Sequence, residues 1–384
     1  MSSLEKKRKR KTTTRTKKKK LSPNQSIPYD LLLDIIARVP RLYYPTLSLV
    51  SKSFRSLLAS PELYKASRSF LGHTERCLYV CLRCCPGYRW FTLCRKPDQT
   101  LSNDTTEKKS SGYVLATVPI PSFHKPRFSS LVVVGSDIYY IHGPSSNVSI
   151  LDCRSHTWRQ VQSSILDCRS HRRRKAPILP VEHSSLTASV LGEKIYVAGC
   201  YSDMHLGSSF FEVFDTKTEV WVSEPIPYSD RKYNFLHPKS ICIDGKIHVV
   251  TDSEGVVAYN PKEGIWLDLD QYMRSDSYCE IDDVLYSVYS RTVIWYDTEA
   301  SRWRYLEGLG QLTFPLGASV RLADYGGKLA VLWDEDLLYG LTSFVYKKKI
   351  WCAEISLERS KSCEIFGKLN GLIMCLQCLK NVNW

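Results

Sequence analysis

From residue 131 onward the chain repeats one pattern: an apolar strand, a turn on Gly or Asp, an apolar-aromatic strand, then an apolar-acid pair and a Trp. The first clear copy is Leu131-Val132-Val133-Val134-Gly135-Ser136-Asp137-Ile138-Tyr139-Tyr140-Ile141, followed by Leu151-Asp152 and Trp158. The second has Gly192-Glu193-Lys194-Ile195-Tyr196-Val197, Phe214-Asp215 and Trp221. The third has Asp244-Gly245-Lys246-Ile247-His248-Val249, Tyr259-Asn260 and Trp266. The fourth has Asp282-Asp283-Val284-Leu285-Tyr286, Tyr296-Asp297 and Trp303, and a weaker fifth has Gly326-Gly327-Lys328-Leu329 and Trp351. Each unit makes one twisted sheet that cannot bury both of its faces alone. Sheets packed around a ring bury them mutually.

Trp90, in Arg89-Trp90-Phe91-Thr92-Leu93, marks an earlier, degenerate unit. The tryptophan intervals from there are 68, 63, 45, 37 and 48 residues, around the ~40–50 residues of a four-stranded propeller blade. The first long interval contains the polar stretch Lys96 to Gly112, expected to be a disordered loop. The second contains a duplication: Ser149-Ile150-Leu151-Asp152-Cys153-Arg154-Ser155-His156 recurs, 15 residues on, as Ser164 to His171. That insert, ending in Arg172-Arg173-Arg174-Lys175, is expected to be an extruded loop rather than an added strand. About 314 residues follow position 70, which suits six blades and leaves five or seven open.

Residues 26–64 change period. Pro28 suits the first turn of a helix, where a missing N–H costs nothing, and Asp30 and Asp34 favour the positive helix start. Leu31, Leu32, Ile35, Ile36 and Val39 then form one continuous apolar stripe of about 140° at helical spacing, and Pro40 ends it. A second short helix is expected after Pro45, with Leu47, Leu49 and Val50. A third runs from about Ser51 to Ala59, with Phe54, Leu57 and Leu58 on one side. Three helices this short bury little surface, and their stripes exceed what so small a bundle can cover. Part of that surface is expected to await a partner.

The formal net charge of +14 is lopsided. Residues 1–20 hold eleven Lys or Arg against the single Glu5, leaving only +4 for the rest of the chain. The clusters Lys6-Lys7-Arg8-Lys9-Arg10-Lys11 and Lys17-Lys18-Lys19-Lys20 cannot collapse. They resemble a nuclear-localisation signal read by an acidic groove, and would give at most nonspecific affinity for nucleic acid. No apolar run is long enough to span a membrane, and no secretory signal is expected at the N-terminus. A reducing compartment makes disulfides unexpected for the fourteen cysteines. The pairs Cys81/Cys84 and Cys375/Cys378 fall in strand-like runs, where positions three apart face opposite ways and cannot grip one metal ion. The nine histidines stand mostly singly in presumed loops. That pattern argues against the convergent His/Tyr set of a copper oxidase. No metal, cofactor or catalytic residue is expected.

The run Ile27-Pro28-Tyr29-Asp30-Leu31-Leu32-Leu33-Asp34-Ile35-Ile36-Ala37-Arg38-Val39-Pro40, with Val50-Ser51-Lys52-Ser53-Phe54-Arg55-Ser56-Leu57-Leu58 and Ser60-Pro61-Glu62-Leu63-Tyr64, resembles an F-box. Ile27 stands where that family usually has leucine. The resemblance implies docking on a Skp-type adaptor and, through it, a cullin scaffold. Pro28, Leu31, Leu32, Ile35, Ile36, Val39, Leu47, Val50, Phe54 and Leu57 would form the docking face or its immediate support. The later repeat resembles kelch, whose units build β-propellers. It departs in that the usual Gly-Gly doublet survives only as single Gly143 and Gly199. The expected organisation is a disordered basic tail (1–22), an all-α F-box (23–70) and an all-β kelch propeller (71–384). An F-box followed by kelch repeats is similar to plant substrate receptors of cullin-based ubiquitin ligases, which are non-catalytic. The alternative is a nuclear kelch scaffold without a ligase role. Target recognition would lie in loops at one rim. His142, Tyr201, His205, Arg231 and Tyr233 sit in presumed loops, and the sequence assigns none of them a role.

Overall fold

The computed structural model describes residues 27–40, 43–60, 62–63, 66, 77–84, 87–95, 113–118, 120, 130–143, 147–154, 156–161, 164–167, 172–175, 185–200, 209–223, 235, 238–251, 255–269, 275, 277–310, 312–337, 347–360 and 364–379. The basic tail, with its two Lys/Arg clusters, lies outside the described residues, as does the stretch 96–112. No helix among the described residues is long and apolar enough to cross a membrane.

Three helices come first: α1 (Tyr29–Ala37), α2 (Tyr44–Leu47) and α3 (Lys52–Leu58). Pro28 stands at the N-cap of α1, and its carbonyl accepts the first helical hydrogen bond from Leu32 N at 3.0 Å. Pro45 opens α2. Ser51 caps α3, its Oγ accepting from Phe54 N at 3.1 Å and satisfying a donor the helix start would leave bare.

Six sheets follow as the blades of a propeller, antiparallel except for one parallel edge pair in the third. Blade one has three described strands, Tyr79–Cys84, Gly87–Arg95 and Tyr113–Val118. Blade two is Leu131–Val134, Asp137–Ile141, Val148–Asp152 and Thr157–Val161. Blade three is Ser185–Leu191, Lys194–Cys200, Ser209–Asp215 and Val220–Ser223, and blade four is Ser240–Ile243, Lys246–Val250, Val256–Asn260 and Ile265–Leu269. Blade five is Tyr278–Ile281, Val284–Tyr289, Thr292–Asp297 and Arg302–Tyr305, and blade six is Val320–Asp324, Leu329–Leu337, Lys347–Arg359 and Ile365–Leu379.

The repeated residues now have physical roles. In blades two to five the residue before Asp or Asn pairs directly across the ladder with the Trp: Leu151 with Trp158, Phe214 with Trp221, Tyr259 with Trp266, Tyr296 with Trp303. The aromatic pairs meet at 5.1–5.3 Å between ring centroids, within the range of favourable ring contacts. The acid or amide that follows ties the turn. Asp215 Oδ1 accepts from the backbone N–H of Lys217 and Thr218, and Asn260 Oδ1 from that of Lys262. Asp297 Oδ1 does the same for Glu299 and Ala300. The Ala300 N–H, with Arg304 beside it, holds the Asp297 carboxyl below its ordinary range despite some opposing desolvation. Between first and second strands of blades two to five the turns are two residues, and Asp244-Gly245 and Asp282-Asp283 take positive φ at both positions, the twist a tight hairpin needs. Trp90 and Trp351 depart from the pattern: they lie on the second strand of blade one and the third of blade six.

The duplicated insert corrects an expectation. Ser164–Asp167 and Arg172–Lys175 form a hairpin whose first strand pairs in parallel with Val220–Ser223, so the third sheet has six strands. The copied segment carries the same strand-forming Ser-Ile-Leu-Asp as Val148–Asp152 and finds a ladder at the outer edge of blade three. Both cysteine pairs do lie on strands, Tyr79–Cys84 and Ile365–Leu379. No cluster of three metal-ligating side chains forms among the described residues.

Buried apolar clusters join neighbouring blades. Trp90 and Val118 pack on Ile138 and Leu151, joining one to two. Ile141 and Ile150 pack with Val197 and Trp221, joining two to three, and Tyr196 packs with Ile247 and Tyr259, joining three to four. Tyr286 and Trp295 pack with Val331 and Ile355, joining five to six. Leu332, Ile350 and Cys352 meet Val80, Leu82 and Phe91, joining six to one. The ring therefore closes by side-chain packing between its first and last sheets. Between blades four and five no such cluster forms among the described residues; Lys239 Nζ reaches across to Ser275 O at 3.3 Å. The surviving Gly199 has a packing reason: a Cβ there would lie 2.3 Å from Ser185 O and 2.4 Å from the Phe210 ring.

His248, on blade four, alternates with Ile247 and Val249 and so points away from blade three. It is buried and its Nδ1 has no hydrogen-bond partner. Burial, aided by Lys246, pushes its pKa down to about 4. The folded state thus prefers the neutral ring, and stability should fall as pH drops from about 6.5 toward 4, by up to about 3 kcal/mol. His248→Phe should flatten that part of the pH–stability curve in denaturant melts. An unchanged acid slope would show that other groups set it.

Candidate functional site

The first candidate surface is helical. Ile36, Ala37, Leu57, Leu58 and Leu63 make the small core of the three-helix unit, with Leu32, Leu47 and Phe54 half-buried against it. The apolar stripe of α1 is accordingly split. Ile36 and Leu57 face inward at 3% exposure, whereas Leu31 (53%), Ile35 (45%) and Val50 (62%) remain open to solvent. Pro28 is exposed and Val39 intermediate. Of the ten residues named from sequence, Ile36 and Leu57 are therefore support, and Pro28, Leu31, Ile35 and Val50 are surface. Tyr29 and Tyr43 add exposed apolar area that the helical pattern did not single out, and Leu49, expected within the second helix, is 77% exposed. Leu49 lies in the turn after α2, where helical periodicity no longer applies.

The second surface is the loop-bearing end of the propeller. In blades two to five the first-to-second and third-to-fourth connections are tight turns of two and four residues at one end. The opposite end carries the second-to-third connections and the links between blades, which are longer in blades two, three, four and six. Of the five loop residues considered from sequence, His142 falls at this end. His142 directly follows the second strand of blade two, and its Nε2 is 2.7 Å from Ser149 Oγ with its ring edge-to-face on Tyr140. It is held by its own blade. Tyr201, His205, Arg231 and Tyr233 lie outside the described residues.

Blade five has a depression at the same end, of about 300 Å³, lined by Tyr278, Ser287, Tyr289, Ile294, Trp303 and Tyr305 among others. These alternate with Tyr286 and Trp295, which pack on blade six, so the depression faces blade four. Arg304 also borders it, but its charge is taken up by Asp297 at 2.6 Å and Glu364 at 3.6 Å. Tyr289 and Tyr305 escaped the sequence analysis because they look like ordinary strand ends. Only the assembled sheet brings them together.

Along the chain, then, a three-helix unit with exposed apolar side chains precedes six sheets arranged as a propeller. Comparison with known proteins gives the class its name. The F-box domain family matches residues 25–66, and the FKB95, Kelch-repeats domain family matches residues 90–164 and 160–372. The F-box/kelch-repeat protein At5g51250 of Arabidopsis thaliana is 54% identical over 362 residues, covering 90% of this chain and 93% of the relative. F-box/kelch-repeat protein At3g06570 of the same plant is 51% identical, with 90% and 87% covered, and At4g39550 is 45% identical, with 96% and 94% covered. The chain belongs to the F-box/kelch-repeat protein family.

Proposed function

We propose that this protein is the substrate-recognition subunit of a Skp-cullin-F-box ubiquitin ligase. Its F-box docks on a Skp-type adaptor through Leu31, Ile35, Val50 and their exposed neighbours, and its propeller binds the target at the loop-bearing end. The observation that carries this reading is the split stripe: a unit whose core is already complete keeps large apolar side chains in solvent, the mark of a docking surface. The chemistry is proximity. Holding a target beside a charged ubiquitin carrier raises the effective concentration of the acceptor lysine, and this chain contributes no acid, base or nucleophile. Mixing the purified chain with a Skp-type adaptor and a cullin scaffold should give one co-eluting complex. Separate elution would refute the ligase role and favour a scaffold.

The basic tail supports import into the nucleus. Deleting residues 1–20, which hold eleven Lys or Arg, should move a fluorescent fusion from nucleus to cytoplasm. An unchanged distribution would remove the tail from that role.

A further inference from the structure

From the depression on blade five we infer a binding groove for a proline-rich segment of the target, held as an extended polyproline II strand. The inference rests on the reading that the propeller holds the target, and it names where and by what chemistry. Three features carry it. First, the groove lies on the side of blade five that faces blade four, the boundary where no buried apolar cluster forms among the described residues. Second, it is unroofed by its own blade. The second and third strands of blade five are joined by the two-residue turn Ser290-Arg291, with φ of 47° and 69°. That turn is pinned by Phe314, whose N–H donates to Arg291 O at 2.9 Å while Arg291 Nε donates to Phe314 O at 2.5 Å.

Third, the polar groups match one kind of ligand. Tyr289 and Tyr305 are 50% and 58% exposed, and with Trp303 and Tyr278 they present aromatic faces. Within the described residues the Trp303 indole N–H and the hydroxyls of Tyr289 and Tyr305 make no hydrogen bond. These groups offer donors beside flat apolar surface. A polyproline II strand has no internal hydrogen bonds, so its carbonyls are free acceptors, and its proline rings stack on aromatic side chains. A helix would present no free carbonyls along its length. A stacked single-stranded nucleic acid needs a positive groove, whereas among the described residues the cation in the lining, Arg304, is paired with Asp297 and Glu364, and Lys239 at the edge donates to Ser275 O.

The test uses the full chain and a fluorescein-labelled decaproline peptide, read by anisotropy, with a Gly/Ser decamer as control. Saturable decaproline binding is expected, at least tenfold weaker in the Tyr289→Ala/Tyr305→Ala double variant. Trp303→Phe, which keeps an aromatic face but removes the indole N–H and part of the stacking area, should lose several-fold. Melting temperatures report whether each variant is folded. No decaproline binding at millimolar protein, equal binding of the Gly/Ser peptide, or affinity unchanged in all variants overturns the inference. So does oligothymidine binding that the same substitutions weaken, or a chain dimer that they dissociate. Proximity labelling by the full chain and by one lacking the propeller separates the two levels. If decaproline fails while propeller-dependent labelling persists, the groove falls and the target-binding role stands. If labelling does not depend on the propeller, the role itself falls.

Discussion

Replacing Ile35 with Asp should abolish adaptor co-purification and leave the melting transition of the propeller where it was. Ile35 projects from α1 on the side away from Ile36, Leu57 and Leu63, so the new carboxylate remains hydrated in the free protein and the three helices keep their core. On docking, the same carboxylate would be carried into an apolar interface with no partner, at a cost of several kcal/mol. A central anchor lost in this way weakens binding by roughly a hundredfold or more. Ile36→Asp is the informative contrast. It puts the charge inside the small core and should unfold the helical unit, so its loss of binding would carry no information about contact. Undiminished co-purification of the Ile35→Asp protein would remove α1 from the docking surface.

Trp221→Ala should lower the melting temperature by about 5–8 °C. The side chain is fully buried between blades two and three, in edge contact with Phe214 at 5.2 Å. Truncating a buried tryptophan costs about 3–5 kcal/mol, and a domain of roughly 300 residues loses about 1.5 °C for each. Trp303 holds the equivalent ladder position in blade five but is only half-buried, lining the groove. Trp303→Ala should therefore cost clearly less. Equal shifts for the two would mean that the tryptophans act within their own sheets rather than between blades.

The ring was legible because its signals are local. A strand, a two-residue turn and an aromatic-Asp pair seven residues before a Trp are all set within one blade, and the Asp side chains at 215 and 297 tie the turns their spacing suggests. Trp90 and Trp351 were legible as markers of blades but not of strands, since nothing local tells the second or third strand from the fourth. The insert misled for a related reason. Ser164 to Asp167 carries the same letters as the strand in blade two, and what decides its fate is the open edge of Val220–Ser223, more than 50 positions away. In the helices, periodicity located the apolar stripe. Which half turns inward depends on where α3 packs, and so Ile35 and Ile36 were indistinguishable until the fold was in place.

Every sheet draws its described strands from one uninterrupted stretch of chain, including the widened third blade. During synthesis each blade can complete its backbone ladders soon after its last residue leaves the ribosome, without waiting for a strand from the far end. Contacts of short sequence separation form quickly, and the growing chain adds sheets in order. The final event is the meeting of the last sheet with the first, a step that among the described residues makes no new ladder and rests on packed side chains.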